Sequence, residues 1–315
     1  MNFEKIDLYY DLVDQACMII YEDLHLDYFE SFLRVSRDIN VGLDDAKLSD
    51  EALKKLENIY EIITLENFYN EEVRLALELV IVKAFKHINF PLDLMTPDTI
   101  NYLVAMIIKT KYPEQELAIL DTNLGTGNML NAVSNNLDFA PSLAGIEKNE
   151  TLVKLAQATA NLQQNDIVIY FQDVLNRVPF RGEVVVGDLA GYEYVGETSL
   201  ELYRQGVNYF PYLVIAARLD NIVEDGYFVY IIDNDFFNKT GIAEFREFIS
   251  DKATLVGLIV LPENMVQGDH VGKSLLIGKK AVEENYNMTV LRLENFEKEN
   301  TEELFIKIKT MIEEI

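Results

Sequence analysis

The pattern of hydrophobic residues beyond Pro91 constrains the fold more than any other feature of this sequence. Short apolar runs alternate there with amphipathic helical patterns, which is typical of a parallel β-sheet covered by helices on both faces. Strands are predicted near Leu117–Leu120, Leu143–Ile146, Ile167–Phe171, Glu183–Val186, Tyr227–Ile232, Leu255–Leu261 and Ser274–Ile277. The predicted fold class is therefore α/β and Rossmann-like, with a mostly parallel seven-stranded sheet.

Helices are predicted between most of these strands. The clearest has apolar residues at helical spacing, namely Ile100, Leu103, Val104, Ile107 and Ile108. Another is predicted to begin near Pro211 and to end at Gly226, since proline suits the first helical turn and glycine the position after the last.

Residues 1 to about 90 predict a helical domain without strands. Ser49 is expected to cap a helix with Leu53, Leu56, Tyr60 and Ile63 on one face. Asn70 is expected to cap the next helix, whose apolar stripe consists of Val73, Leu77, Val80 and Ala84. We therefore predict an N-terminal helical domain at 1–90 and a second domain at 91–315.

The first predicted strand leads into a turn that contains two glycines. The segment reads Asp121-Thr122-Asn123-Leu124-Gly125-Thr126-Gly127-Asn128, and an apolar helix pattern follows. Glycine lets the backbone approach a ligand closely because no Cβ intervenes. A dinucleotide site needs a longer glycine fingerprint, whereas an acid four residues before the first glycine suits a ligand with an ammonium group. An ordinary tight turn is the alternative.

Two more acids end the next two predicted strands. Glu147 closes LAGIE, and Asp173 closes IVIYFQD. The carboxyl ends of the strands form the ligand crevice in open α/β sheets, so Glu147 is placed to accept hydrogen bonds from a ribose diol and Asp173 from an exocyclic amine. Singly, each acid is better explained as a solvated strand end, but three in succession favour a nucleoside-containing ligand.

These segments resemble motifs of amino-methyltransferases that act on DNA adenine. DTNLGTGNML is similar to their DPxxGTGxxL loop, and MTPDTI at Met95–Ile100 is similar to the TP-containing segment before it. GIEKN and YFQDVL resemble their second and third motifs for S-adenosylmethionine (SAM). The similarity covers about residues 92 to 280. The sequence most resembles the modification subunits of type I restriction-modification systems and short relatives of the YtxK type.

The resemblance implies a class I SAM-dependent methyltransferase with SAM as its cofactor. Thr96 and Pro97 would line the methionine end of SAM, and Asp121 with the turn Gly125-Thr126-Gly127 would hold the methionine moiety. Thr96-Pro97 is equally compatible with a plain helix start that has Pro97 at its first position.

The nucleoside end of SAM is assigned by the same resemblance. Glu147 would bind the ribose hydroxyls, and Asp173 would accept from the adenine amino group.

The fourth motif matches least. In the adenine methyltransferases the fourth strand ends in Asp or Asn, two prolines and an aromatic residue, of which the first accepts from the target amine and the last stacks on the extruded base. Here EVVV is followed by Gly187-Asp188-Leu189-Ala190-Gly191-Tyr192, without prolines and with the aromatic residue one position late. By resemblance Asp188 is the catalytic acid and Tyr192 the stacking residue. A strand-end acid in a degenerate site is the alternative, because a loop without proline is less preorganised.

The net charge of −26, from 27 basic and 53 acidic residues, disfavours binding of bare DNA or of an anionic membrane. Basic residues gather locally at Lys273, Lys279 and Lys280 and at Arg177 and Arg181, either as a nucleic-acid groove or as a solvated surface. We find no segment that replaces the target-recognition domain of restriction-type enzymes. Tyr192, Tyr194, Phe236 and Phe237 are candidates for a stacking platform, with the two phenylalanines expected to be packing residues.

Two function hypotheses follow. The first is an enzyme that transfers methyl from SAM to an exocyclic amine in nucleic acid, of the adenine-N6 type. The second is a catalytically degenerate SAM-binding module that acts through protein contacts, with the N-terminal helical domain as the surface for a protein partner. Methyl transfer to a protein or a small molecule is a third option.

Cys17 is the only cysteine, so no intrachain disulfide can form and a cytoplasmic location is expected. Neither a signal peptide nor a run of ~20 apolar residues that would span a membrane is evident. The histidines His25, His87 and His270 do not cluster with Cys17, so no metal site is expected.

Overall fold

The computed structural model describes residues 2–91, 95–113, 116–262, 272–294 and 301–315, so His270 lies outside the described residues. The helices are α1 (Phe3–Leu24), α2 (Tyr28–Val41), α3 (Asp50–Leu65), α4 (Asn70–His87), α5 (Asp98–Lys111), α6 (Asn128–Asn136), α7 (Glu150–Leu162), α8 (Glu201–Arg204), α9 (Phe210–Arg218), α10 (Ile242–Ser250) and α11 (Thr301–Glu314). The strands are β1 (Ala118–Asp121), β2 (Ser142–Glu147), β3 (Ile167–Phe171), β4 (Gly182–Asp188), β5 (Ile222–Asp233), β6 (Thr254–Val260), β7 (Lys273–Lys279) and β8 (Thr289–Arg292).

Internal contacts divide the chain into two compact units that alternate along the sequence. The first comprises Met1–Thr96, Gly125–Asn136 and Asn149–Ile167, and the second comprises Pro97–Leu124, Leu137–Lys148 and Val168–Ile315. The helices α6 and α7 thus belong to the same unit as α1 to α4. The domain boundary between residues 90 and 91 stays a prediction.

The starts of two helices in the first unit show how local sequence sets their bounds. The amide of Ala52 donates to Ser49 Oγ at 3.2 Å, so the predicted cap of α3 is confirmed. The predicted cap of α4 is wrong by one residue, because Asn70 is itself helical and Tyr69 precedes the helix. The amide of Tyr69 donates to the Glu72 carboxylate at 3.1 Å, which satisfies a backbone donor at the helix start.

The core of the first unit lies between the amphipathic faces of its helices. Leu56 of α3 and Leu77 of α4, both from the predicted stripes, are almost fully buried, as is Cys17 of α1. Leu152 and Leu155 of α7 belong to the same cluster of buried side chains. The 3.6-residue periodicity of the N-terminal sequence therefore correctly identifies the buried faces.

The second unit is built on one sheet with the strand order β3-β2-β1-β4-β5-β7-β6-β8. The pairs β1–β2, β1–β4, β4–β5 and β6–β8 are parallel, whereas β7 runs antiparallel to both of its neighbours. The prediction of a mostly parallel α/β sheet is confirmed, but the sheet has eight strands and not seven. The missed strand, β8, is short and mostly exposed at the sheet edge, so its sequence lacks the apolar run that marks the others.

The predicted helix from Pro211 to Gly226 is wrong at its C-terminal end. α9 stops at Arg218, a 3₁₀ turn follows, and β5 begins at Ile222. Gly226 lies inside β5, where a Cβ would come within 2.8 Å of the Glu183 carbonyl oxygen on the neighbouring strand. The glycine therefore permits close strand pairing and does not end a helix.

Among the described residues, no helix has both the length and the apolar composition that crossing a bilayer requires.

Candidate active site

Carboxylates mark the carboxyl ends of the first four strands. Asp121, Glu147 and Asp188 are the last residues of β1, β2 and β4, and Asp173 follows β3 by two residues. Because β1 is parallel to both β2 and β4, the first three share one edge of the sheet. The amide of Gln172 donates to the Glu147 carbonyl at 3.1 Å, which brings the segment of Asp173 to the same edge. The strand-end arrangement expected from the sequence is therefore present in the second unit.

Asp121 is fully buried and incompletely hydrogen-bonded. Its Oδ1 accepts from the amide of Asn123 at 2.9 Å, whereas Oδ2 is buried and has no hydrogen-bond partner among the described residues. Burial raises the pKa of Asp121 to about 7, and the negative charges of Asp188 and Glu147 act in the same direction. Such a carboxyl group favours a cationic or hydrogen-bond-donating ligand that completes its pairing.

The turn that follows β1 depends on its two glycines. Gly125 and Gly127 have φ angles of +56° and +78°, in the left-handed region that glycine adopts without strain. A Cβ on Gly127 would lie 3.2 Å from Asn131 Nδ2, so the backbone there is closely packed. The Thr126 carbonyl is fixed within the first unit, because it accepts from Thr159 Oγ1 at 3.0 Å. These conformations explain why glycine stands at both positions, and the role of the turn in binding a ligand stays a prediction.

A buried arginine in α4 holds the residue after this turn. Arg74 Nη1 donates to Asn128 Oδ1 at 2.6 Å, and the guanidinium also pairs with Glu71 and Glu78. Asn128 Nδ2 in turn donates to the Glu78 carboxylate. The start of α6 is thereby fixed to α4 within the first unit. Sequence reasoning missed this cluster, for which an arginine inside an apolar helical stripe is the only signal.

Glu147 and Asp173 are held by backbone amides while staying partly exposed. Glu147 Oε1 accepts from the amide of Lys148 at 2.8 Å. Asp173 Oδ1 accepts from the amide of Leu175 at 2.9 Å, and its Oδ2 lies 3.9 Å from Lys148 Nζ. Both carboxylates are oriented, which a hydrogen-bond acceptor for a ligand requires.

Thr96 and Pro97 immediately precede α5. Pro97 is the residue before the helix and not its first helical residue, because α5 begins at Asp98. Its carbonyl accepts the first backbone hydrogen bonds of the helix, from Ile100 and Asn101. The predicted helix start is thus shifted by one residue, and the role of both residues at SAM stays a prediction.

Asp188 is part of an ion-paired cluster that the sequence did not reveal. Lys273 Nζ lies 3.6 Å from Asp188 Oδ1 and 3.0 Å from Asp233 Oδ1. Lys273 begins β7 directly opposite Asp233, the last residue of β5. Burial lowers the pKa of Lys273, but the two carboxylates outweigh this and raise it above its ordinary value. Asp233 is the last residue of β5, so a search for acidic residues at strand ends, which identifies Asp188, would also have identified Asp233.

The loop after Asp188 is shaped around Asp233. A Cβ on Gly191 would lie 2.0 Å from Asp233 Oδ2, so position 191 cannot carry a side chain unless Asp233 moves. This is the position at which the resembled enzymes have their aromatic residue. The structure therefore explains why the aromatic residue of the fourth motif comes one position later than in the resembled enzymes. The loop differs from theirs in more than its missing prolines.

Tyr192 presents a stacked, accessible ring. The ring is 41% exposed and lies 4.4 Å from that of Phe210, with an interplanar angle of 18°. Partial burial, with the charge of Asp173 as a second cause, raises the pKa of Tyr192 to about 12. Phe236 is buried and Phe237 packs against the same core, so both are packing residues as expected.

The two basic groups noted in the sequence differ in their pairing. Lys279 pairs with Asp225 and Glu283, and Lys280 Nζ donates to the Ile222 carbonyl at 2.7 Å. Together with Lys273, these lysines are engaged within the chain. Arg177 and Arg181 are exposed. In the part of the chain that the structure describes, no group of three or more acidic, histidine or cysteine side chains could hold a metal ion.

Known proteins resemble this chain in sequence and in fold. Residues 7–85 match the model of the YtxK N-terminal helical domain. The uncharacterized protein YtxK of Bacillus subtilis (strain 168) is 28% identical over 274 residues, which cover 84% of this chain and 83% of that protein.

Solved structures extend the likeness to the whole chain. A crystal structure from Listeria monocytogenes, described as that of a candidate class I SAM-dependent methyltransferase, superposes with a TM-score of 0.83 at 25% identity and covers 99% of this chain and 100% of that one. The methyltransferase subunit of a type I restriction-modification system from Streptococcus thermophilus has a TM-score of 0.60 at 14% identity, covering 96% of this chain and 74% of its own, a likeness of fold. The chain therefore has the fold of the class I SAM-dependent methyltransferases, and its N-terminal part is similar to the YtxK N-terminal helical domain.

Proposed function

We propose that the chain binds SAM and transfers its methyl group to an exocyclic amine in nucleic acid, in the manner of N6-adenine methyltransferases. The observation that carries the proposal is Asp121, whose buried Oδ2 has no hydrogen-bond partner among the described residues at the edge where Glu147, Asp173 and Asp188 also lie.

The carboxylates are suited to the polar groups of SAM. Asp121 would accept from the α-ammonium group, which supplies the missing partner of Oδ2. Glu147 would accept from the ribose hydroxyls and Asp173 from the adenine amino group. Thr96 and Pro97, with the turn of Gly125, Thr126 and Gly127, would complete the methionine end.

SAM supplies an electrophilic methyl group when bound, so the chain has to present a nucleophilic amine. Asp188 would accept a hydrogen bond from the target amine and localise its lone pair. Lys273 holds Asp188 in place, because its Nζ lies within ion-pair distance of both Asp188 and Asp233. The accessible ring of Tyr192 would stack on the extruded base.

A second candidate function is a SAM-binding module without turnover that acts through protein contacts, using the N-terminal helices as its partner surface. The pairing of Asp188 with Lys273 favours it, since a carboxylate already occupied by an ammonium group is a weaker acceptor for an amine. The net charge of −26 also favours a protein partner over DNA.

The test has a binding stage and a transfer stage. Calorimetry should show SAM binding to the wild type and weaker binding to Glu147→Ala, by about 1–3 kcal/mol, because the ribose hydroxyls lose their acceptor. Single-turnover transfer of tritiated methyl to DNA should then fall by roughly 10²-fold or more in Asp188→Ala, with SAM affinity unchanged, because the lost hydrogen bond acts in the transition state.

The outcomes separate the two candidates. Wild-type affinity in Glu147→Ala would make the ribose assignment wrong. SAM binding without transfer to any nucleic acid by the wild type would favour the binding module.

A further inference from the structure

A cavity lies near the amino-terminal ends of β4 and β5, away from the strand-end carboxylates. It has a volume of about 960 Å³ within the second unit and is lined by the segment 175–181 before β4, by residues 216–221 before β5, and by residues 199–201 with Phe248 and Lys252. Gly182 and Ile222, which begin β4 and β5, are paired in register. Since β4 runs from Gly182 to Asp188, this end of β4 lies about 20 Å from Asp188 at the usual rise per residue.

The cavity is lined by unpaired cations. Arg177, Arg181, Arg218 and Lys252 line it, and none of them forms an ion pair with another described residue. The lysines near Asp188 differ, because Lys273 and Lys279 are both paired with carboxylates. In a chain with 53 acidic residues, a cavity whose positive charges form no ion pair with a described residue indicates an anionic ligand.

Arg218 strengthens this interpretation because it is buried and incompletely satisfied. Arg218 is only 2% exposed, and its Nη2 donates to the Asn176 carbonyl at 2.8 Å. Nε and Nη1 are buried without a hydrogen-bond partner among the described residues. A buried guanidinium with two unused donor nitrogens is a costly feature that the oxygens of a bound anion would satisfy.

Part of the remaining lining is apolar, and the cavity extends beyond the space that a single anion needs. Val178, Leu200 and Ala216 contribute aliphatic surface, and Lys252 Nζ lies 5.0 Å from the centre of the Phe248 ring. Cavities of this volume and mixed character are typical of sites for small organic molecules.

We propose that this cavity binds a phosphorylated small molecule of nucleotide size. Its phosphate groups contact Arg177, Arg181 and Arg218, and its organic part lies against the apolar lining near Phe248. A terminal phosphate can reach a buried guanidinium, whereas the backbone of a continuous nucleic-acid strand cannot. Glu201 and Asp220 in the same lining further disfavour a long polyanion.

Calorimetry of the full chain with four probes tests the proposal: ATP, ADP, inorganic phosphate and a single-stranded 20-nucleotide DNA. ATP or ADP should bind, and the double variant Arg177→Gln/Arg181→Gln should weaken that binding about tenfold or more, because both residues lose charged hydrogen bonds to phosphate. The matched control Arg246→Gln/Arg292→Gln removes two exposed arginines outside the cavity and should leave nucleotide affinity unchanged.

Because Arg177 and Arg181 are exposed, the double variant should keep the wild-type melting temperature. Arg218→Lys keeps the positive charge but replaces the planar guanidinium with a single ammonium group, and it should also weaken nucleotide binding. ATP and SAM share an adenosine group, so competition distinguishes the two sites. Saturating SAM should not displace ATP, because the cavity lies at the starts of β4 and β5 and the proposed SAM residues lie at the strand ends.

Four results would overturn the proposal. These are no binding of either nucleotide at millimolar concentration, affinity that the cavity variants do not change, displacement of ATP by SAM, and tighter binding of the oligonucleotide or of inorganic phosphate than of ATP.

Discussion

The carboxylates at the ends of β1 and β4 have opposite relations to their surroundings. Asp121 is buried, with one oxygen that finds no partner among the described residues. Asp188 is partly exposed and shares Lys273 with Asp233. The first carboxyl group leaves one oxygen for the proposed ligand, whereas the second is already paired within the chain.

This difference teaches which half of the site keeps to the pattern of the resembled methyltransferases. The half proposed to bind the cofactor has the strand-end acids and the left-handed glycine turn that their motifs predict. The half proposed to bind the target instead contains an ion-paired cluster and a glycine that leaves room for Asp233. A change at Asp121 should therefore affect ligand binding most, and changes around Asp188 should affect stability first.

The largest effect is expected for Asp121→Asn. The amide keeps the shape of the side chain but removes the charge that the ammonium group of SAM would meet. SAM affinity should fall by about 2–4 kcal/mol, or roughly 30-fold or more, because one partner of a buried charge pair is lost. Calorimetry measures it, and Asp251→Asn at an exposed position is the control.

The pH profile sharpens this prediction. The pKa of Asp121 in the folded chain, about 7, lies above its ordinary value of 3.8 because the group is buried. Protonation is thus favoured in the folded state, and the stability it contributes is lost as pH rises through 7. SAM affinity should change oppositely, increasing up to tenfold per pH unit between about pH 5.5 and 7 in the wild type. A profile that persists in Asp121→Asn would contradict the assignment.

Next in size is the effect of Lys273→Met on folding. Removal of the ammonium group leaves Asp188 and Asp233 without their shared counterion, which should lower the free energy of unfolding by about 1–3 kcal/mol. Lys279→Met is the matched control, since its partner Asp225 is 70% exposed, and it should cost under ~1 kcal/mol. Urea unfolding measures both variants. Equal losses of stability in the two variants would show that the ion pairs of Lys273 matter no more than those of Lys279 at the other end of β7.

Gly191→Ala should lower the free energy of unfolding by about 1–2 kcal/mol, because its methyl group displaces Asp233. The same substitution in an Asp233→Ala background should cost much less, since the obstructing carboxylate is gone. A double-mutant cycle gives the coupling energy directly. A coupling energy near zero would show that the loop does not depend on Asp233.

The smallest effect is expected for Tyr192→Ala, about 0.5–1.5 kcal/mol, because an exposed ring loses its stacking on Phe210. Tyr192→Phe keeps the ring and should be close to wild type in thermal unfolding. If the two variants were equally destabilised, the hydroxyl and not the stacking would be responsible.

Much of the fold could be predicted from the sequence because periodicity reports burial. The seven predicted strands are present, and the stripes containing Leu56 and Leu77 face the core. The edge strand β8 was not predictable in this way, since Leu291 is its only partly buried residue. The end of α9 was mispredicted because Gly226 is required by the pairing of two strands, and sequence spacing does not reveal which backbone lies opposite.

Asp121 and Asp188 could be proposed as site residues because each ends a strand of the parallel part of the sheet. The pairing of Asp188 with Lys273 could not, since it depends on β7 running antiparallel beside β5 and placing position 273 opposite 233. The unsatisfied donors of Arg218 were equally hidden, because burial of a single arginine in an apolar helix leaves no periodic signal.

The contact between Arg74 and Asn128 has a consequence for the exchange of domains between proteins. The helix after the glycine turn is anchored by a guanidinium from the N-terminal region, and its two acidic partners lie in α4 as well. A chimaera that replaces α1 to α4 with helices from another protein would lose this anchor unless the replacement brings an equivalent arginine. Residues 7–85 and the segment that begins at Asn128 should therefore change together in natural sequences and should be moved together in engineered ones.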